Sequence, residues 1–143
     1  QDLHGPALMP LLVDTGVLYA LADRSDAWHA RARALFASTR DPFLTPVTIV
    51  PEVTYLLATR LGAHAERAFV RSLADGEIGL EPVTPADCVR SSEIMAEYPD
   101  IGFVDASLVA VAERLKASTI ATTDRRHFAA IQPRHLERFA LVP

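Results

Sequence analysis

Four carboxylates of this chain stand where separate elements could bring them to one edge. Leu11-Leu12-Val13 is a short apolar run that ends in Asp14, and the turn signal Thr15-Gly16 follows at once. Such a run reads as a buried strand whose end emerges at the carboxyl edge of a sheet, where open α/β folds place their ligands. Thr119-Ile120-Ala121-Thr122 repeats the pattern and runs through Thr123 into Asp124. Asp105 stands where a helical pattern opens. Glu52 lies early in another helix, on a polar face shared with Thr48, Tyr55 and Thr59. Like charges gathered in one cleft repel, and some must bind protons unless a cation neutralises them. An all-oxygen set of carboxylates suits Mg2+ or Mn2+. A cation of that kind holds and polarises a phosphate, and lowers the pKa of a bound water for in-line attack.

Each acid taken singly has a plainer role. Asp105 reads as a helix N-cap, Asp14 and Asp124 as braces of turns through Asx hydrogen bonds, and Glu52 as a first-turn acid favoured by the helix dipole. The set argues against these readings, because two strand-end aspartates with matched surroundings are poorly explained as independent turn braces. Asp100, a loop acid close to Asp105, at most supports the set.

The elements that must position these acids follow from the hydrophobic pattern. Val17 to Ala22 reads as a short helix. Ser25 or Asp26 caps a second, with Trp28, Ala32, Leu35 and Phe36 on one face. Phe43-Leu44-Thr45 reads as a strand, and Val50, Val53, Leu57 and Leu61 as a helical stripe with Pro51 in its first turn and Gly62 at its end. Ala65, Ala68, Phe69, Ser72 and Leu73 outline a further helix, and Ile78 to Val83 a strand. Thr84-Pro85 starts the next helix, with Cys88, Met95 and Tyr98 on one side. Val104, Leu108, Val111, Ala112 and Leu115 mark an amphipathic helix. A short helix around His127 to Ile131 and a strand from Phe139 to Val142 close the chain. Short strands separated by helical patterns imply one α/β domain with a parallel sheet covered on both faces.

With 143 residues, half of them hydrophobic and 22% charged, the chain has the make-up of an ordinary globular domain with a real core. A formal charge of −4 excludes a global basic field, though not an enzyme with local arginines. Lys116 is the only lysine beside the arginines, and arginine suits bidentate phosphate contacts. Cys88 is the only cysteine, so no internal disulfide forms; it reads as a buried small hydrophobe in a reducing cytoplasm. Pro10 and Asp14 interrupt the apolar run from Ala7 to Ala22, which argues against a membrane span, and no signal-peptide pattern precedes it. Met9 is a candidate start, with residues 1–8 an N-terminal extension or an expression remnant and 9–143 the domain.

Four motifs occur in a fixed order: Leu12-Val13-Asp14-Thr15-Gly16-Val17-Leu18, Glu52 in its helix, Gly102-Phe103-Val104-Asp105-Ala106, and Thr122-Thr123-Asp124-Arg125-Arg126-His127-Phe128. Together they resemble the PIN-domain family, and more narrowly the VapC-type toxins of bacterial toxin–antitoxin pairs, from Met9 to Pro143. The resemblance implies a five-stranded parallel sheet with helices on both faces. It further implies a metal-dependent endoribonuclease whose catalytic and metal-binding acids are Asp14, Glu52, Asp105 and Asp124, with one or two Mg2+ or Mn2+ ions. Thr15 or Thr123 supports the metal site, and the implied partners are an RNA substrate, a second copy of the chain and a small cognate antitoxin that occupies the cleft. On that reading metal-activated water leaves a 5′-phosphate and a 3′-hydroxyl, with Glu52 a ligand or the group that orients the water.

Arg125 and Arg126, beside Asp124, are the candidates for contacting substrate phosphate. His127 reads as a structural or surface histidine, and Trp28 as packing, although Trp28 and Tyr19 have the chemistry to stack a base. Two other classes remain. A catalytically silent PIN-like interaction module would show no stabilisation by Mn2+. A haloacid-dehalogenase-type phosphatase would want a second acid where Gly16 stands.

Overall fold

Leu11, Leu12 and Val13 are apolar on both sides of their strand because both faces are covered; none of the three is more than 5% exposed. In the computed structural model, which describes residues 9–143, these residues form β1 (Leu11–Val13), the middle of a five-stranded parallel sheet. The strands β2 (Phe43–Pro46) and β3 (Gly79–Glu81) lie to one side of it, and β4 (Thr119–Ala121) and β5 (Ala140–Val142) to the other. The order β3-β2-β1-β4-β5 reverses direction at β1. A crevice therefore opens at the carboxyl ends of β1 and β4, the switch point where such sheets bind ligands. Register sets what stands there: Val13 pairs with Ala121, so Asp14 and Thr122 are the next residues out on adjacent strands. The Asp14 N–H donates to the Ala121 carbonyl at 2.9 Å and carries the ladder one step further.

Around the sheet stand α1 (Thr15–Ala22), α2 (His29–Ser38), α3 (Val50–Leu61), α4 (Ala63–Ala74), α5 (Pro85–Glu97), α6 (Phe103–Leu115) and α7 (Arg125–Ala130). The core runs through Leu12, Val13, Val17, Ile49, Val53 and Leu57 to Leu108, Val109, Ile120 and Phe128. Among the described residues no helix is long and apolar enough to cross a membrane. The reading of residues 1–8 lies outside the described residues.

The α/β class and the five parallel strands stand as expected, and Trp28, Leu35 and Phe36 do pack on the core around buried Ala32. Three local readings need correction. Helix α2 begins at His29 with no side-chain cap, and Asp26 instead accepts from the Trp28 N–H at 2.8 Å, bracing the turn before it. Cys88 is exposed, as is Met95. The inward stripe of α5 is Asp87, Ser91 and Ile94. Asp87 tolerates burial because it closes a capping box with Thr84 and accepts from the Arg114 guanidinium at 3.1 Å. Finally, the N-cap of α6 is Gly102, which leaves Asp105 inside the first turn with no capping bond to make.

Gly16 stands where there is no room for a side chain. A Cβ there would overlap Thr123 Oγ1 and lie within 3.4 Å of Thr123 Cβ and Cγ2, so rotating the threonine exchanges one clash for another. Gly16→Ala is expected to cost about 1–3 kcal/mol, read as a lower denaturation midpoint, and a second change of Thr123 to Gly should recover most of it. An unchanged midpoint in Gly16→Ala would show that α1 does not pack this closely on the β4–α7 turn.

Candidate metal centre

The strand-end position of Asp14 makes it the N-cap of α1: its Oδ1 accepts from the Thr15 N–H at 2.8 Å. Its Oδ2 accepts from the Thr122 hydroxyl at 2.9 Å, across the β1–β4 pair. The same hydroxyl accepts from the Asp124 N–H at 2.8 Å. Thr122 thus joins the two strand-end aspartates, as the register requires, while Thr123 packs against Gly16. Thr15 turns the other way and donates its hydroxyl to Glu52 Oε1 at 2.8 Å, tying α3 to the start of α1.

Asp124 caps α7, accepting from the His127 N–H at 3.3 Å through Oδ1 and from His127 Nδ1 at 2.7 Å through Oδ2. Carboxylate oxygens of Asp105 and Asp124 and a ring nitrogen of His127 lie within 4.8 Å of one another. Asp105 reaches this point from the first turn of α6, which Thr48 holds through a 2.6 Å hydrogen bond to Ser107. Asp14 and Glu52 stand near enough for their charges to act on Asp105, but they are not part of this close group. His127, which sequence reasoning set aside, belongs to it; its spacing of three from a helix-capping aspartate was the available signal. Thr122 was missed in favour of its neighbours, because strand register is not written in local pattern.

Repulsion is legible in the electrostatics. Burial raises the pKa of Asp14, which is only 6% exposed; the Thr15 and Thr122 hydrogen bonds lower it, and the charges of Asp124 and Glu52 raise it again, leaving it above the ordinary carboxylate value. Burial, then the charges of Asp14, Asp124 and Glu52, push Asp105 up to about 6. The hydrogen bond and charge of Asp124 raise His127. Carboxylates that resist ionising together, with an imidazole within reach, fit a divalent cation such as Mg2+ or Mn2+. Asp105, Asp124 and His127 bring ligand atoms close enough to share such an ion.

The other candidates divide. The Arg125 guanidinium is exposed, donates to the Pro143 carbonyl and lies 5.8 Å from the centre of the Trp28 ring. Arg126 is exposed beside His127, and with Tyr98 and Asp100 they line a side cleft of about 430 Å3. Tyr19 is buried and donates its hydroxyl to Asp23, so it is not free to stack a base.

A family model described as PIN domain matches residues 11–132. The chain is 36% identical over 135 residues to Ribonuclease VapC26 of Mycobacterium tuberculosis, an alignment spanning 93% of this chain and 100% of that protein. It is also similar to the crystal structure of Mycobacterium tuberculosis VapC20, described as a Sarcin-Ricin loop cleaving toxin. That match has a TM-score of 0.78 and 26% identity, over 89% of this chain and 98% of the other. Rickettsia felis VapBC2 shares the fold at a TM-score of 0.65 and 12% identity, over 93% of this chain and 97% of the other.

A stability prediction follows from Asp105. Its folded pKa is raised, so between the ordinary 3.8 and about 6 the native state keeps a proton that the unfolded chain has lost. The Asp105 contribution to the stability of the metal-free protein should fall as pH rises through that window and level off above it. His127 acts in the same direction at higher pH, its raised pKa contributing stability that is present below its unfolded value and lost as pH rises through the folded one. Thermal melts in EDTA from pH 4.5 to 8 (a range of roughly this width covers both groups) should show Asp105→Asn flattening the lower part of this slope. The same variant should raise the melting temperature near neutral pH by roughly 3 °C. Melts of the two proteins that run parallel across the range would mean that Asp105 ionises freely.

Proposed function

We propose, from the premise that this chain belongs to the PIN-domain family and is a homologue of the VapC ribonuclease toxins, that it is a Mg2+- or Mn2+-dependent endoribonuclease and the toxin of a toxin–antitoxin pair. What supports this reading is the close group of Asp105, Asp124 and His127 beside Asp14 at the switch point, with burial first and neighbouring carboxylates second raising Asp14 and Asp105. The ribonuclease and RNA-loop-cleaving relatives support RNA as the substrate.

Residues 9–143 form the nuclease domain in this reading. Asp14, Asp105 and Asp124 hold one or two ions, with Glu52 a further ligand or the group that aligns water. Bound there, Mg2+ or Mn2+ supplies polarisation of the scissile phosphate and neutralises the charge that develops on it. Thr122 keeps Asp14 and Asp124 at a fixed separation, and His127 fixes the rotamer of Asp124. Glu52, held through one oxygen by Thr15, has its second oxygen free to orient the attacking water and accept its proton. Attack in line with the departing 3′ oxygen leaves a 5′-phosphate and a 3′-hydroxyl, and no 2′-hydroxyl nucleophile takes part. Arg125 and Arg126 contact the substrate backbone. The protein works as a homodimer in the cytoplasm, and a cognate antitoxin silences it by covering the cleft. An apolar recess of about 710 Å3, with Leu18, Leu21, Phe36, Ala68, Phe69 and Ile78 in its lining, supports a protein partner.

The deciding experiment compares wild type and Asp14→Asn on mixed RNA with Mn2+ and with EDTA. Wild type should cleave only with the metal, and Asp14→Asn should lose at least about 100-fold, the upper end of what outer-shell partners alone contribute. Equal cleavage by both proteins, or products ending in 2′,3′-cyclic phosphate, would exclude this mechanism. His127→Ala should fold normally and bind Mn2+ about 10- to 100-fold more weakly by calorimetry; unaltered affinity would remove His127 from the site.

A further inference from the structure

We propose that Trp28, Arg31 and Arg125 form a phosphate-holding subsite for the single-stranded RNA segment that leads into the carboxylate cluster, an inference that rests on the ribonuclease reading. The Arg31 guanidinium carbon lies 3.8 Å from the centre of the Trp28 ring, and that of Arg125 lies 5.8 Å from it. Both arginines are exposed. Among the described residues neither forms a salt bridge, whereas Arg71, Arg90, Arg114 and Arg134 are all paired to carboxylates. Two arginines outside the ion pairs thus share one aromatic ring, and Arg125 directly follows Asp124 in the chain.

This arrangement has the properties an incoming polyanion needs. A guanidinium lying over an aromatic face is oriented without being neutralised, so its outward N–H groups stay available for a phosphodiester. Arg125 is further fixed by donating to the Pro143 carbonyl, and Trp28 is half-buried against the core, so the ring and the cations on it lose little freedom when RNA arrives. A cluster of four acids repels the nucleic-acid backbone, and ordered cations alongside it offset that repulsion. Single-stranded segments also offer bases able to stack on the guanidinium planes and on the exposed edge of the indole.

Trp28 is the only tryptophan, so its fluorescence reports on this subsite alone. The Asp14→Asn protein in EDTA, which cannot cleave, is titrated with polyuridylate at several salt concentrations. The expected result is a saturable change in Trp28 emission, with Arg31→Gln and Arg125→Gln each weakening binding about fivefold. Each should also flatten the slope of log Kd against log salt by about 0.7, the share of one single-strand phosphate contact. Arg33→Gln, which removes an exposed charge from the helix that carries Arg31, should change neither quantity. The subsite is overturned if Trp28 does not respond to RNA, or if Arg33→Gln costs as much as the other two. Cleavage by wild type with Mn2+ is scored separately. Cleavage without a Trp28 response removes the subsite and spares the ribonuclease, whereas a response with both arginine losses but no cleavage keeps an RNA-binding subsite and removes the ribonuclease.

Discussion

Asp14 sits at the carboxyl end of the central strand with only 6% of its surface exposed, inside the field of Asp124 and Glu52. What offsets its desolvation is a backbone N–H and a threonine hydroxyl, neither of which carries charge. Burial of a carboxylate on such terms is costly unless it keeps a proton or gains a cation. Among the described residues, the only cation-forming partner bonded to the cluster is His127, on the Asp124 side and partly exposed. The fold therefore stores an electrostatic demand at one point, and the remaining structure keeps the acids from moving apart to relieve it.

Two kinds of connection do this. Near the crevice they are short-range: Thr122 spans β1 and the β4–α7 turn, Thr15 holds Glu52, and Thr48 meets Ser107 beside Asp105. At the far end of α6 they are ionic. Arg90 grips Glu113 at 2.7 and 3.0 Å, and Arg114 reaches Asp87, Glu81 and the Pro82 carbonyl. With side chains only 14% and 8% exposed, the Arg90–Glu113 pair has been taken out of water. Desolvation consumes much of the gain of such a pair, so its chief consequence is the registry of α5 against α6. That registry determines where the first turn of α6, and hence Asp105, comes to rest.

The class of fold and the four acids were legible because each leaves a local trace: an apolar run ending in Asp, a helical stripe with an acid on its polar face. What was not legible depends on distant partners. The choice of Thr122 over Thr123 is a matter of β1–β4 register, and a one-residue slip exchanges which side chain faces Asp14. The inward face of α5 looked like the side bearing Cys88; Asp87 is buried there instead because Arg114, 27 residues away, reaches it. Asp105 resembled a cap because acids favour helix starts, yet Gly102 takes that place and frees the carboxylate for the crevice.

If the crevice is built to replace protons by a cation, metal binding must release protons, and fewer as pH rises. The direct measurement is isothermal calorimetry of Mn2+ binding between pH 5.5 and 8, in buffers of differing ionisation enthalpy (a range of roughly this span brackets the raised carboxylates). Release of up to about one proton per site at the acid end, fading toward zero at the alkaline end, is the expected result. It should be much reduced in Asp105→Asn. Binding with no proton release at any pH, or no binding at all, would contradict the view that these acids are held together for a metal.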